Sequence, residues 1–301
     1  MKARTGMRVA VAGGTGLVGR YVVEELVAAG HEPVVLSRSR GVDLVSGGAG
    51  LDAALDGADA VVDASNVTTT SARKSVAFFD AVARSLLDAG ERAGVRHHVA
   101  LSIVGIDRVG LGYYQGKLRQ EDVVRAGSVP WSVLRATQFH EFAEQTLERV
   151  PRPLAVVPRM RTQPIAAREV AQHLVKLAAG PAQGMAPDLA GPRVEQLVDM
   201  VRRLLRARGE RRLVVPVRMP GGVGAAMTGD GQLPVGGGAR GTQTFDEWLA
   251  TRDVEESGRG VEEGVRGERE SSDGRESRVA RGSQHSQHSQ HSQDSQDSQG
   301  G

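Results

Sequence analysis

Short apolar runs and segments with helical periodicity alternate along the first half of the chain. Runs with the apolar pattern of buried strands are found at residues 8–12, 32–37, 58–64, 97–102 and 132–135. Between them, apolar residues recur at helical spacing, as they do from Val76 to Leu87. This alternation is typical of α/β proteins, in which crossover helices join parallel strands. We therefore predict a doubly wound parallel sheet.

The pattern changes twice further along, which divides the chain into three parts. We assign residues 1–136 to the sheet domain and residues 137–250 to a smaller C-terminal lobe that returns elements to the core. Within that lobe, the glycine-rich residues 221–241 are predicted to form a loop near a cleft. Residues 251–301 contain no aromatic side chain and end in Ser-Gln-His and Ser-Gln-Asp repeats. Such a segment buries too little apolar surface to offset its ordering entropy, so we predict disorder.

The first predicted strand ends in a glycine turn, which reads GGTGLVG. Gly13, Gly16 and Gly19 follow the pattern G-x-x-G-x-x-G. Glycines let a backbone turn tightly and leave peptide N–H groups accessible, and the helix that follows adds unpaired donors and a positive dipole end. This order of elements favours binding of a dinucleotide pyrophosphate over an ordinary turn. The residues assigned to this contact are Gly13, Thr15, Gly16, Leu17, Val18 and Gly19.

The second predicted strand ends in Ser37 and Arg38, and no acidic residue follows before Asp43. An acidic residue at this place binds the ribose 2′-hydroxyl of NAD, whereas an arginine accommodates the 2′-phosphate of NADP. We therefore assign these three residues to the cofactor and expect NADP (NADPH) to be preferred, with NAD possible. The alternative is that Arg38 and Arg40 are solvated loop charges.

A further buried run, residues 58–64, leads into Ser65 and Asn66. In a doubly wound sheet, ligands bind at the carboxyl ends of the strands, where the strand order reverses. Ala64, Ser65 and Asn66 are therefore expected to line the cofactor. Asn66 is equally compatible with a simple turn, since asparagine is common in turns.

Candidate catalytic residues follow the next strand. Ser102 ends that strand, and Tyr113 and Lys117 stand four residues apart at the start of a predicted helix. This spacing places the phenol and the ammonium group on one helix face, where a cation favours the phenolate and brings the tyrosine pKa toward the working range. We expect Tyr113 to act as acid or base, Lys117 to tune it or bind the nicotinamide ribose, and Ser102 to hold a substrate oxygen. The adjacent Tyr114 is an alternative candidate for the acid or base, but it does not have the four-residue spacing from Lys117.

Composition narrows the classes of function. The chain has no cysteine, which excludes disulfides and thiolate chemistry. No metal site is expected, since His97 and His98 are adjacent on a strand and point to opposite faces. The charges are scattered, without a basic helix or an aromatic platform, so we expect no nucleic-acid partner. With no apolar run long enough to cross a membrane, we expect a cytoplasmic protein without membrane contact.

These motifs together resemble the short-chain dehydrogenase/reductase superfamily, in its atypical, NmrA-like branch of NAD(P)-binding proteins. The matching segments, in order, are GGTGLVG, SRSR, DGADAVVDASN, the serine of LSIVG, YYQGK and PWSVLRATQFHEF. The resemblance implies a Rossmann core that carries NADP or NAD, with residues 137–250 as the substrate lobe. It also implies Ser102, Tyr113 and Lys117 as the catalytic set in members that are enzymes.

The resulting hypothesis is an NADPH-dependent oxidoreductase that reduces a small carbonyl or quinone-like molecule by hydride transfer. Two alternatives stay open. One is a non-catalytic, redox-sensing regulator that binds NADP(H), and the other is an NAD-dependent epimerase or dehydratase. The sequence gives neither the substrate nor the oligomeric state. His140 is set aside as a structural residue.

Overall fold

The computed structural model describes residues 6–252, so the predicted disordered tail lies, apart from its first two residues, outside the described part. The strands are β1 (Arg8–Ala12), β2 (Glu32–Leu36), β3 (Ala60–Asp63), β4 (His97–Ile103), β5 (Trp131–Ala136), β6 (Leu154–Pro158), β7 (Arg161–Thr162), β8 (Gly184–Met185), β9 (Glu195–Gln196) and β10 (Leu213–Val217). The helices are α1 (Leu17–Ala28), α2 (Ala49–Leu55), α3 (Ala72–Arg92), α4 (Gly112–Ala126), α5 (Phe142–Glu148), α6 (Ala167–Ala178), α7 (Leu197–Ala207) and α8 (Gly221–Thr228). Residues 245–252 are also helical.

Six of the strands form one parallel sheet in the order β2-β1-β3-β4-β5-β8. The chain runs from β1 outward to β2 and then returns to β3 on the other side of β1, so the strand order reverses between β1 and β3. In sheets of this kind the ligand crevice lies outside the carboxyl ends of the strands at this reversal. The predicted α/β fold is confirmed, and it brings the glycine turn after β1 beside the residues that follow β3.

Helices cover both faces of the sheet, because successive strand residues point to opposite sides. Val9 and Val11 pack in one buried cluster with α1 and α6. Ala10 and Ala12 pack in a second cluster with α2, α3 and α4. The strands are therefore buried on both faces, which explains why their sequences read as continuous apolar runs.

A third apolar cluster is built by α5, β6, α7, α8 and Phe245, Trp248 and Leu249, and it also includes Ile106, Val109 and Tyr114. Two small sheets accompany it, a parallel pair of β6 with β10 and an antiparallel pair of β7 with β9. Residues up to Leu249 pack as one compact unit. The division of this unit at residue 136 stays a prediction.

One element of the lobe differs from the prediction. The expected loop over residues 221–241 begins with helix α8, which buries Met227. Pro220 supplies the extended residue before the helix, and Ala225 and Ala226 are strong helix formers, so the glycines alone do not prevent helix formation. Within residues 6–252, no helix combines the length and apolar character needed to cross a membrane.

Candidate active site

The glycine turn joins β1 to α1 in a form that larger side chains would block. Gly13 has φ +74°, and a Cβ atom there would lie 2.5 Å from the carbonyl oxygen of Ala64. A Cβ atom on Gly19 would lie 2.1 Å from the carbonyl oxygen of Gly13. The first position therefore lets the turn pass against the end of β3, and the second lets α1 pack directly on the turn.

The amino-terminal end of α1 opens toward the crevice. Gly16 precedes the helix and provides no side-chain cap, so the N–H groups of the first turn are left for another acceptor. Thr15 and Gly16 are exposed and Leu17 is partly buried, whereas Val18 and Gly19 are buried. Of the predicted cofactor residues here, Val18 belongs to the core cluster and has only its backbone to offer a ligand.

The end of β2 leads into a short 3₁₀ turn, Arg38–Arg40. Arg38 is exposed, and among the described residues no ion pair is recorded for it. Asp43 accepts hydrogen bonds from the Ser46 hydroxyl at 2.7 Å and the Val45 N–H at 3.0 Å, and these bonds lower the pKa of its carboxyl group. Asp43 therefore stabilises its own turn, and the nearby positive charge of Arg38 also lowers the pKa of its carboxyl group.

The residues after β3 lie beside the glycine turn, as the contact between Gly13 and Ala64 requires. Ser65 is buried, and its hydroxyl oxygen has no hydrogen-bond partner among residues 6–252. A buried hydroxyl without a partner is costly, so a bound ligand that pairs with it would be favoured. The glycine cradle, the open helix end and this hydroxyl together fit a dinucleotide.

The Tyr113 side chain reaches this crevice from the first turn of α4. Its hydroxyl donates to Asn66 Oδ1 at 2.7 Å, and its ring packs edge-on against Phe79 with centroids 5.7 Å apart. Burial raises the pKa of the Tyr113 phenol above its ordinary value, and the neighbouring Tyr114 adds to the increase. Tyr113 is therefore held as a neutral phenol beside Asn66.

Tyr114 points into the C-terminal lobe instead. Its hydroxyl accepts hydrogen bonds from Gln232 Nε2 at 2.6 Å and from Gln138 Nε2 at 3.5 Å. Burial raises the pKa of Tyr114 to about 12, although these two hydrogen bonds act in the opposite direction. The side chain is 7% exposed and packs in the third apolar cluster, so it is a structural phenol.

The expected pairing of Lys117 with the Tyr113 phenol does not form, which corrects the prediction made from their spacing. Lys117 Nζ donates to the carbonyl oxygen of Leu101 at 2.5 Å and to Gln120 Oε1, and it lies 4.6 Å from the centroid of the Phe79 ring. Burial lowers the pKa of Lys117 to about 8. The lysine is buried beneath α4, and it does not lower the pKa of Tyr113.

Ser102 is also bound elsewhere. It is 2% exposed, and its hydroxyl donates to Glu121 Oε1 at 2.6 Å. The same carboxylate accepts two hydrogen bonds from Arg135, each of 2.8 Å, and one from Arg125 at 2.9 Å. The expected substrate-holding role of Ser102 stays a prediction, and it would require this hydrogen bond to Glu121 to break.

Sequence reasoning missed this buried polar layer under α4. Gln120 Nε2 donates to Asp63 Oδ2 at 2.6 Å, which links the layer to the end of β3. The spacing of Lys117, Gln120 and Glu121 on one helix was the available signal, since residues three and four apart share a face.

His140, which the sequence left out of the catalytic set, is buried against Phe245 and Trp248.

The fold and the glycine turn define a dinucleotide-binding α/β protein. Residues 13–181 match the NAD(P)H-binding protein family, and this match covers more than half of the chain. The chain belongs to that family, which confirms the expected NAD(P) cofactor. No curated protein matches the sequence.

Solved structures extend the comparison to the whole fold. A short-chain dehydrogenase/reductase superfamily protein from Agrobacterium tumefaciens, with bound NAD, is 18% identical with a TM-score of 0.62, covering 86% of this chain and 99% of its own. The UDP-N-acetylglucosamine 4-epimerase of Bacillus cereus is 18% identical with a TM-score of 0.60, and the match covers 81% of this chain and 95% of the epimerase chain. An NADPH-dependent quinone oxidoreductase from Escherichia coli is 16% identical with a TM-score of 0.55, and the match covers 81% of this chain and 98% of the oxidoreductase chain. At these identities the likeness is one of fold.

Proposed function

We propose that this protein is an NADPH-dependent reductase of small carbonyl or quinone-like molecules. The observation that carries the proposal is the 2.7 Å hydrogen bond between the Tyr113 phenol and Asn66. This bond puts a proton donor at the reversal point of the sheet, where the cofactor of this family binds. Structural neighbours of the same fold include a quinone oxidoreductase, which agrees with this reaction class.

The residues of the crevice suit a phosphorylated dinucleotide. The glycine turn and the open end of α1 would hold the pyrophosphate, and the unpaired Ser65 hydroxyl would pair with the ligand. Arg38 would meet the 2′-phosphate that distinguishes NADPH from NADH. When bound, the reduced nicotinamide supplies the hydride.

The protonated state of Tyr113 is the one that a reduction requires. A phenol whose pKa is raised by burial stays protonated at neutral pH, and its bond to the Asn66 carbonyl oxygen stabilises the protonated form further. A protonated phenol can deliver a proton to the oxygen of a carbonyl group as that oxygen gains charge. It is a poor base for the reverse reaction.

The test combines binding with turnover. Calorimetric titration with NADPH and with NADH measures cofactor affinity, and absorbance of the reduced nicotinamide reports its oxidation against a panel of quinones and aldehydes. We expect NADPH to bind more tightly than NADH and to be oxidised by at least one panel member. Absence of binding by either cofactor would contradict the site assignment.

A non-catalytic NADP(H)-sensing protein is the second candidate function. It is favoured by the burial of Ser102 and Lys117, neither of which touches the phenol. A sensor would bind NADPH without oxidising it. An epimerase or dehydratase of the kind found among the structural neighbours would convert its substrate without net consumption of cofactor, so cofactor oxidation separates the reductase from both alternatives.

A further inference from the structure

We propose that Asn66 holds and polarises the substrate carbonyl oxygen beside Tyr113, in the place that the sequence assigns to Ser102. This inference rests on the proposed reductase function and names the hydrogen-bond donor of that same site. It follows from the orientation of one amide group and from the hydrogen bonds that occupy the alternative donors.

The orientation of the Asn66 amide is fixed by its own backbone neighbour. The N–H of Val67 donates to Asn66 Oδ1 at 2.8 Å, and the Tyr113 hydroxyl donates to the same oxygen at 2.7 Å. A backbone N–H can only donate, so the oxygen of the amide must face Val67 and the NH₂ group must face the other way. The donor end of Asn66 is therefore directed away from the turn.

The NH₂ group of Asn66 is available to a ligand. The side chain is exposed, and its hydrogen bonds within residues 6–252 are the two that Oδ1 accepts, so Nδ2 has no acceptor there. Because Oδ1 and Nδ2 belong to one planar group, Nδ2 is held close to the Tyr113 hydroxyl that Oδ1 binds. A carbonyl oxygen that accepts from Nδ2 would thus lie beside the phenol.

The other two donors of the expected catalytic set are bound inside the protein, whereas the Tyr113 hydroxyl donates to the exposed side chain of Asn66. The Ser102 hydroxyl donates its hydrogen bond to Glu121, a carboxylate that is 1% exposed and is also bound by Arg135. Releasing that proton would remove a hydrogen bond from a buried charge, which is costly. Lys117 is likewise bound, to Leu101 and Gln120.

The reaction step follows from this arrangement. The carbonyl oxygen accepts an N–H from Asn66 Nδ2, which stabilises the charge that develops there. With a hydride supplied to the carbonyl carbon by bound NADPH, the π electron pair would move to the oxygen. The Tyr113 hydroxyl would turn from Asn66 Oδ1 to that oxygen, and its O–H bond would break as the proton is transferred. The products are the alcohol and the oxidised nicotinamide, and water returns a proton to the Tyr113 phenolate.

Two variants separate substrate binding from turn stability. Asn66→Asp keeps an acceptor for Val67 and Tyr113 but loses the NH₂ donor, whereas Asn66→Ala loses both. Thr68→Ala is the matched control, since Thr68 is an exposed residue of the same loop. Each is assayed for kcat/KM with phenanthrenequinone at saturating NADPH, for the NADPH dissociation constant by calorimetry, and for phenol ionisation by ultraviolet absorbance.

We expect both Asn66 variants to lose about 100-fold in kcat/KM, as enzymes do when one such donor is removed, with NADPH affinity changed by less than about threefold. In the absence of cofactor, Asn66→Ala should also shift one of the three tyrosines to a lower ionisation pH, because the bond that stabilises the neutral phenol is lost. The shift should be absent when Tyr113 is Phe.

Three results would overturn the role of Asn66. They are an N66D variant as active as the wild type, an N66D variant whose NADPH affinity falls as much as its kcat/KM, and an N66A variant with unchanged tyrosine ionisation. A wild-type protein that binds NADPH and reduces no carbonyl would instead overturn the proposed function, and the role of Asn66 with it. The two failures are therefore distinguishable.

Discussion

At the scale of single residues, two adjacent tyrosines serve different parts of the molecule. The Tyr113 hydroxyl binds Asn66 at the end of the central sheet, whereas the Tyr114 hydroxyl binds Gln232, which is 118 residues away in sequence. Successive residues on a helix point about 100° apart, so the pair spans the boundary between the crevice and the lobe. Only Tyr113 is placed to act on a ligand of the crevice.

Replacing each tyrosine with phenylalanine should change a different property, namely activity for Tyr113 and stability for Tyr114. Tyr113→Phe removes the proposed acid, so we expect kcat to fall by about 100-fold or more with little loss of stability. Tyr114→Phe leaves the Gln232 amide buried without an acceptor, so we expect a loss of about 1–3 kcal/mol in the free energy of unfolding. Steady-state kinetics and urea denaturation of both variants provide the measurement. Full activity in Tyr113→Phe would refute the assignment.

A second residue-scale prediction concerns cofactor preference. Replacing Arg38 with Ala should weaken NADPH binding by about 10- to 100-fold, because a charge-assisted hydrogen bond to the 2′-phosphate is lost. NADH affinity should not change. Arg40→Ala is the matched control, since Arg40 is exposed in the same 3₁₀ turn. Calorimetric titrations with both cofactors give the ratio of the NADH and NADPH dissociation constants. An unchanged ratio in Arg38→Ala would show that Arg38 is a solvated side chain without a role in cofactor preference.

Some of these residues were predictable because their signal is local. The glycines that line the cradle follow a strand directly, and Asn66 follows another, so position along the chain is enough to place them. The partners of Ser102 and Lys117 were not predictable. Glu121 binds Ser102 across 19 residues, and the choice between a buried partner and the ligand depends on how α4 is seated on the sheet.

At the scale of elements, the seating of α4 against α3 places Tyr113. The Ser75 hydroxyl donates to the Tyr113 carbonyl oxygen at 2.8 Å, which fixes the start of α4 on α3. A Cβ atom on Gly116 would lie 2.1 Å from Ser75 Oγ and 2.6 Å from its carbonyl carbon. A Cβ atom on Gly112 would lie 2.6 Å from the carbonyl oxygen of Thr70. The two glycines therefore permit the close approach of the helices.

A methyl group at Gly116 tests this packing. Alanine usually gains about 1 kcal/mol over glycine inside a helix, but here the added carbon meets backbone atoms that cannot move aside. We expect Gly116→Ala to lower the free energy of unfolding by about 1–3 kcal/mol, since overpacking outweighs propensity. Gln115→Ala, at an exposed neighbour, should change stability little. Urea denaturation measures both, and a more stable Gly116→Ala would refute the close contact.

Element prediction succeeded where apolar periodicity was strong and failed where composition dominated. The first five strands of the chain and α3 carry clear patterns, and they were placed from sequence, whereas the two-residue strand β8 at the edge of the sheet was not. Helix α8 was missed, because Gly221, Gly222 and Gly224 suggest a loop while the burial of Met227 stabilises a helix. That stabilisation comes from tertiary packing, which a local window does not contain.

At the scale of the whole molecule, buried histidines link stability to pH. Burial lowers the pKa values of His97, His98 and His140, in the last case to about 4. Between that pH and the ordinary histidine value of about 6.5, the unfolded chain binds more protons than the folded protein. Stability is therefore lost as the pH falls through this window.

The expected result is a steep fall in the free energy of unfolding from about pH 6.5 to about pH 4. His140→Asn cannot be protonated there, so its profile should be shallower than that of the wild type by up to about 3 kcal/mol over the window. Denaturant unfolding at a series of pH values gives both profiles. Parallel profiles would show that His140 does not contribute to acid sensitivity.

The strand order also has a consequence for synthesis on the ribosome. β1 emerges first, yet its second neighbour, β3, follows only after the whole of β2 and α2. The glycine turn and the residues after β3 are present once residue 66 has been made, whereas Gln232, which anchors Tyr114, comes close to the end of the compact unit. The nascent chain thus acquires its dinucleotide crevice long before its lobe, and a cofactor that binds early would stabilise the half-made protein.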